Sequence, residues 1–481
     1  MTPVTVIITV VAYFAVLFGI SYWAGHKADN AGFFQGGKQS KWYMVAFAMI
    51  GASISGVTYV SVPGMVGTSQ FGYLQMIMGF MAGQAVIALV LTPLFYRMQL
   101  VSVYQFLEQR LGGSSYHTGA WFFFISKMLG AAVRLYLVCL TFQLLIFEPL
   151  QLPFVSNVAV SMLIVWLYTF KGGVKSLIWT DSLKTLCLIV SVVLCIWFIA
   201  KSLGMDWGAM MTAIGDDSLS RVFFFDDVNS KQYFWKQFLA GVFTQIAMNG
   251  LDQDMMQRNL SCRNSRESQL NMAVSMVLQF VVISIFLMLG ALLYIFVDRM
   301  GIVVTKSDTL FTIVATGGYL PIIVGILFVI GLTAAAYSAA GSALTALTTS
   351  FTVDILGIKG KEEQQVKTTR QWVHVGMAVL MGLSILVFNV LNNTSVIDAV
   401  YILASYTYGP ILGMFAFGIL TKWRVRDRLI PVVAIAAPLL CFVIDRNSVA
   451  WFNGYQFSYE ILIMNAVFTF IGLCLIKMDN G

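Results

Sequence analysis

The sequence predicts an all-α polytopic membrane protein of about thirteen transmembrane helices, and three observations carry that prediction. Of its 481 residues, 59% are hydrophobic and only 11% charged, with a mean hydropathy of +0.82. Apolar runs of about 20 residues recur from end to end, each long enough to cross the roughly 30 Å of bilayer hydrocarbon. No stretch between the runs has the length and composition of a soluble domain, so residues 1–481 form one transmembrane unit.

The runs fall at 3–25, 42–69, 71–98, 117–148, 153–170, 176–201, 233–256, 268–298, 319–353, 371–391, 395–421, 428–445 and 457–476. The first lacks a basic leader and a small-residue cleavage site, so it reads as a retained span and not a signal peptide. The second is rich in Gly and Ser and holds Pro63. The fourth carries Lys127 and Arg134, and the sixth opens on Asp181 with Lys184 one turn on. The seventh places Gly250, Asp252, Gln253 and Asp254 at lipid depth. Two polar, interrupted spans five apart point to an inverted-repeat transporter with its site at the midplane. The ninth span has hydroxyls in a line, Ser338, Ser342 and Thr345. Such a stripe admits close helix packing and offers oxygens to a hard cation such as sodium.

An odd number of spans puts the termini on opposite sides. Nineteen Lys/Arg sort to one side and seven to the other. The positive-inside rule therefore sets the N-terminus outside and the C-terminus in the cytoplasm of a plasma membrane, such as a bacterial inner membrane. The acidic segment 202–232 is expected to cap the outer face, and 357–370 to be a solvated inner connector.

Charges inside spans cost about 2.5–3.5 kcal/mol each even on the lenient insertion scale, so each needs a reason. Arg134, central to its span, offers a planar fork suited to a carboxylate, and Asp252 is a competing partner. Lys127, nearer an end, is expected to snorkel. Asp181 and Lys184 lie one turn apart and could pair. The segment KGGVKS lacks the spacing of a phosphate loop. The three histidines and six cysteines form no metal or disulfide pattern, and the net charge of +7 sorts by membrane side, so no nucleic-acid partner is implied. A channel filter, a sensor output domain and an enzyme's acid–base cluster all lack a sequence correlate.

The stretches GGVKSLIWTD (172–181), LDQDMMQR (251–258) and AAAYSAAGSALTALTTSFTVDIL (334–356), in this order and spacing, resemble the sodium/solute symporter family. That family includes sodium/glucose cotransporters and bacterial sialic acid symporters. The resemblance implies a leucine-transporter-type fold of two five-helix inverted repeats, here 42–201 and 233–421, with 422–481 adding two spans. It also implies sodium-coupled import of a small polar organic solute by alternating access, in a chain functional as a monomer. Sodium is then transported and not a fixed cofactor, and the other partners are the solute and the lipid bilayer. Carried over residue by residue, the conserved sodium site takes the carbonyls of Gly51, Ile54 and Ala335 and the hydroxyl of Ser338. A second family serine falls on Ala339. A second sodium site would use Asp181, Ser338 and Ser342. The family glutamine after the WTD motif is Lys184 here, placing an ammonium where it can affect coupling. Matching substrate positions are Ser53, Ser55, Thr58, Gln75, Asp252 and Gln253. The family arginine position is Gly130, with Arg134 one turn away. Proton-coupled or cation-independent transport is the alternative on the same fold, and a channel or sensor the alternative outside it.

Overall fold

The computed structural model describes residues 1–25, 41–100, 102–169, 174–357, 363–391 and 395–478. Within these there is no β-strand, only an isolated bridge between Val425 and Lys477. The chain runs through α1 (Pro3–Gly25), α2 (Trp42–Ser53), α3 (Gly56–Ser69), α4 (Tyr73–Met98), α5 (Gln105–Arg110) and α6 (Gly113–Phe147). It continues through α7 (Phe154–Thr169), α8 (Val174–Ser202), α9 (Trp207–Asp216), α10 (Phe234–Gln245), α11 (Gln253–Asn259) and α12 (Ser265–Met300). The remaining helices are α13 (Leu310–Thr316), α14 (Ile322–Ser350), α15 (Glu363–Leu391), α16 (Val396–Leu420), α17 (Ile430–Trp451) and α18 (Ile461–Leu475).

Eight described helices are long and apolar enough to cross a membrane: α4, α6, α8, α12, α14, α15, α16 and α17. The pair α2 and α3 makes one more span, bent by 58°. Three shorter apolar helices, α1, α7 and α18, match the first, fifth and last runs. The seventh run is the split pair α10 and α11 with a π turn, Ile246–Gly250, between them. Each expected span thus has a helical counterpart.

The boundaries need correction at two places. The connector expected at 357–370 is helical from Glu363, because α15 extends two turns below its apolar part, while 358–362 lie outside the described residues. The twelfth run continues to Trp451, carrying Arg446 on the helix with its guanidinium over the Phe442 ring.

Close approach of the breaking spans to their neighbours rests on small residues, as expected where lipid gives helices no hydrophobic reason to associate. A Cβ on Gly79 of α4 would sit 2.1 Å from the Phe238 carbonyl oxygen of α10, and one on Gly241 of α10 would sit 2.2 Å from that of Met76. Backbone meets backbone there, leaving no room for a side chain. The connection 203–233, expected to be a cap, carries α9 and packs onto the ends of α3 and α4. Phe71 donates its N–H to the Arg221 carbonyl, and the Gln232 amide donates to that of Thr68.

Candidate substrate and cation site

The second span stops at Ser53 because Ile54 and Ser55 take extended dihedrals before α3 restarts at Gly56. The last turn of a helix has carbonyls without intrahelical donors, so the gap presents backbone oxygens from the Gly51–Ile54 stretch. A Cβ on Gly56 would reach 3.3 Å from Ala336 Cβ and 3.6 Å from Leu332 Cδ1, so the gap lies against the α14 turn holding Ala335. Ala335 is fully buried. The break that follows Gly51 and holds Ile54 therefore lies beside the α14 turn that holds Ala335. The side chains of Ser338, Asp181 and Lys184 lie outside the described residues, and their backbone is helical.

A cavity with some 700 Å³ of empty space, open water included, begins at this gap. Its lining includes Ser53, Ser55 and Thr58 from the first break, Thr244, Gln245 and Asn249 from around the second, Gln279 of α12, and Arg134 of α6. Its wall toward the end of the bundle where α1, α4 and α16 begin is aromatic. Tyr73 and Tyr401 share a hydrogen bond of 2.6 Å between hydroxyls, with Phe80 beside them. Half-buried Arg134 has no ion pair or hydrogen bond with any described residue.

A second, smaller cavity continues from Arg134, Met248, Met255 and Val400 toward Lys127, Asp252 and Tyr408. Its floor is a charged cluster. Lys127 lies 3.1 Å from both carboxylate oxygens of Asp252 and 3.2 Å from Asp254. Asp252 also accepts from the Tyr408 hydroxyl at 2.8 Å, and it caps α11 by accepting the N–H groups of Asp254 and Met255. Arg258 pairs with Asp254 at 3.4 Å and donates to the Ser342 hydroxyl at 2.9 Å.

These contacts correct the expectation that Lys127 snorkels. It is 7% exposed and compensated by two carboxylates, the usual condition for burying a charge. They also remove Asp252 as the partner of Arg134. Ser342 meets a guanidinium of the chain itself. Gln75 lies outside the cavity, fully buried, its amide donating to the Gly72 and Gln232 carbonyls and accepting from the Phe224 N–H. Gln253 also points away, accepting from the Val103 N–H at 2.7 Å. Tyr73, Tyr401, Tyr408 and Arg258 escaped the sequence reading, since aromatic residues and a span-end arginine carry no signal among so many others. Lys127 did carry one, as one of three basic residues inside spans.

The model of the sodium:solute symporter family matches residues 33–427. The human sodium/iodide cotransporter is 24% identical over 83% of this chain and 63% of its own length, so the chain spans less than two thirds of that relative. The sodium/sialic acid symporter of Aliivibrio fischeri is 24% identical over 90% of this chain and 86% of its own. A solved structure described as the substrate-bound outward-open state of a Na+-coupled sialic acid symporter superposes with a TM-score of 0.81. It covers 99% of both chains at 18% identity. That likeness carries the fold, and the expected leucine-transporter-type architecture is met.

Proposed function

The chain belongs to the sodium:solute symporter family, and from that premise we propose that it imports a small organic anion together with sodium by alternating access. The cargo is a sialic acid or another carboxylate, moved without chemical change. One observation carries this reading: Arg134 faces the main cavity with no described partner. A guanidinium at that depth is costly unless compensated, and a carboxylate with bidentate geometry compensates it. The relatives named above carry anions by their printed names, which agrees with a cationic cavity.

Sodium is proposed to bind at the first break, on the carbonyls of Gly51, Ile54 and Ala335 and the hydroxyl of Ser338. Ser53, Ser55, Thr58 and Asn249 would orient the polar remainder of the substrate. At the second proposed sodium site, Ser342 already accepts from Arg258. With Lys184 one turn from Asp181, this favours a coupling of at most one sodium per substrate. The N-terminus is proposed to lie outside and the C-terminus in the cytoplasm, which makes the Tyr73–Tyr401 contact the outer closure and the Lys127 cluster the inner one.

The test is uptake into proteoliposomes of sialic acid, pyruvate and glucose, with sodium or choline outside. Sodium-dependent uptake of a carboxylate that Arg134→Gln abolishes is the expected result. Uptake of glucose alone, or uptake unchanged in choline, overturns it.

A further inference from the structure

We propose that the smaller cavity holds a second anion subsite, on Lys127, to which a carboxylate passes after leaving Arg134. The inference rests on the reading of Arg134 as the first carboxylate partner. Lys127 and Arg134 stand seven residues apart on α6, which puts them on one face, about 10 Å apart along the axis at 1.5 Å per residue. Both line the smaller cavity, and Arg134 also lines the larger one, so a single passage joins the two cations. Charge in this region does not balance. Lys127, Arg134 and Arg258 face two carboxylates, Asp252 and Asp254, leaving one positive charge over.

Asp252 can release Lys127 without being stranded. Three other donors hold it: the Tyr408 hydroxyl and the N–H groups of Asp254 and Met255 at the start of α11. Lys127 in turn keeps Asp254. An arriving carboxylate therefore exchanges with Asp252 for the ammonium, and no group loses all its partners. The exchange also loosens the tie between α6 and the α10–α11 break. The anion itself then weakens the contact that closes the passage, leaving the Lys127–Asp254 pair to hold it.

The experiment counts bound pyruvate, short enough to occupy one cation at a time, by equilibrium dialysis on the full chain in nanodiscs with sodium present. Wild type is expected to bind one equivalent. Asp252→Asn, which keeps a helix-capping side chain but frees the ammonium, is expected to bind two. Adding Lys127→Gln to it is expected to return the count to one. A single equivalent in Asp252→Asn overturns the inner subsite, whereas no binding by wild type defeats the proposed function instead. Should Asp252→Asn not fold, Tyr408→Phe gives the second reading. Asp252 loses a donor and leans harder on Lys127, so pyruvate efflux from loaded vesicles slows several-fold while the dissociation constant at Arg134 stays put. An unchanged efflux rate overturns the proposal.

Discussion

Between Ser53 and Gly56 the helix is interrupted with no ionisable side chain in either half other than tyrosine, so the gap presents backbone. Between Gly250 and Gln253 the interruption is filled from within. Asp252 caps α11, Lys127 and Tyr408 come in from α6 and α16, and Arg258 ties Asp254 to Ser342. The same local event, a broken membrane helix, serves two ends. Orphan carbonyls can be left for a visiting cation or supplied with resident charges, and only the first arrangement leaves backbone oxygens open to a visiting cation. Irregular backbone at membrane depth persists only where protein or a cavity satisfies it.

The largest test of this contrast is Lys127→Met, which leaves the buried Asp252 and the half-buried Asp254 short of a cation. It is expected to destabilise by about 3–5 kcal/mol, read as a fall in the unfolding temperature in detergent, with much of the loss recovered by adding Asp252→Asn. Equal destabilisation by single and double variants would show that packing, not charge, holds the second break. At the first break, Gly56→Leu drives a side chain into Ala336. A cost of about 1–3 kcal/mol is expected, with a sodium half-saturation raised more than tenfold as the break is pushed off α14. Ser338→Ala should leave the unfolding temperature alone and raise the sodium requirement of uptake roughly tenfold, the worth of about 1.4 kcal/mol.

The smallest effect concerns an acid at neither break. Asp308, in the connection between α12 and α13, is buried with its Oδ2 accepting the Val396 N–H and no ion pair among the described residues. Burial pushes its carboxyl above the usual range, against the Ser61 hydroxyl and the Val396 N–H, which pull it down. Because the folded state favours the protonated form, this group's contribution is full below the unfolded carboxylate range and is lost as pH rises through the folded value. Asp308→Asn should therefore raise the unfolding temperature by about 1–2 °C at neutral pH. The gain should shrink as pH falls toward about 4. A gain that persists at low pH would refute the assignment.

Hydropathy alone located every span, because the bilayer permits few alternatives to a closed helix. Both interruptions were legible too, from Gly250 beside three polar residues and from the Gly/Ser content around Pro63. Helix ends were not. The helix α15 runs through seven charged and polar residues that hydropathy assigns to solvent. The site was legible where chemistry is rare and hidden where it is common. Arg134 stood out as a charge in an apolar helix, whereas Tyr73 and Tyr401 are two of nineteen tyrosines that only the fold brings together. Gln75 shows the converse. A polar residue within a span reads as a ligand, yet its hydrogen bonds are all spent on the chain itself.

That placement of Gln75 has a pharmacological consequence. Its amide, with the Phe71 and Gln232 contacts, stitches the connection 203–233 to the start of α4, two residues from Tyr73, whose hydroxyl meets Tyr401. The same connection shows Phe223, Phe225 and Val228 more than half exposed. An antibody fragment gripping those side chains would hold the aromatic closure in place through the stitching and arrest the cycle. Such an inhibitor need not resemble the cargo, and raising the cargo concentration would not displace it.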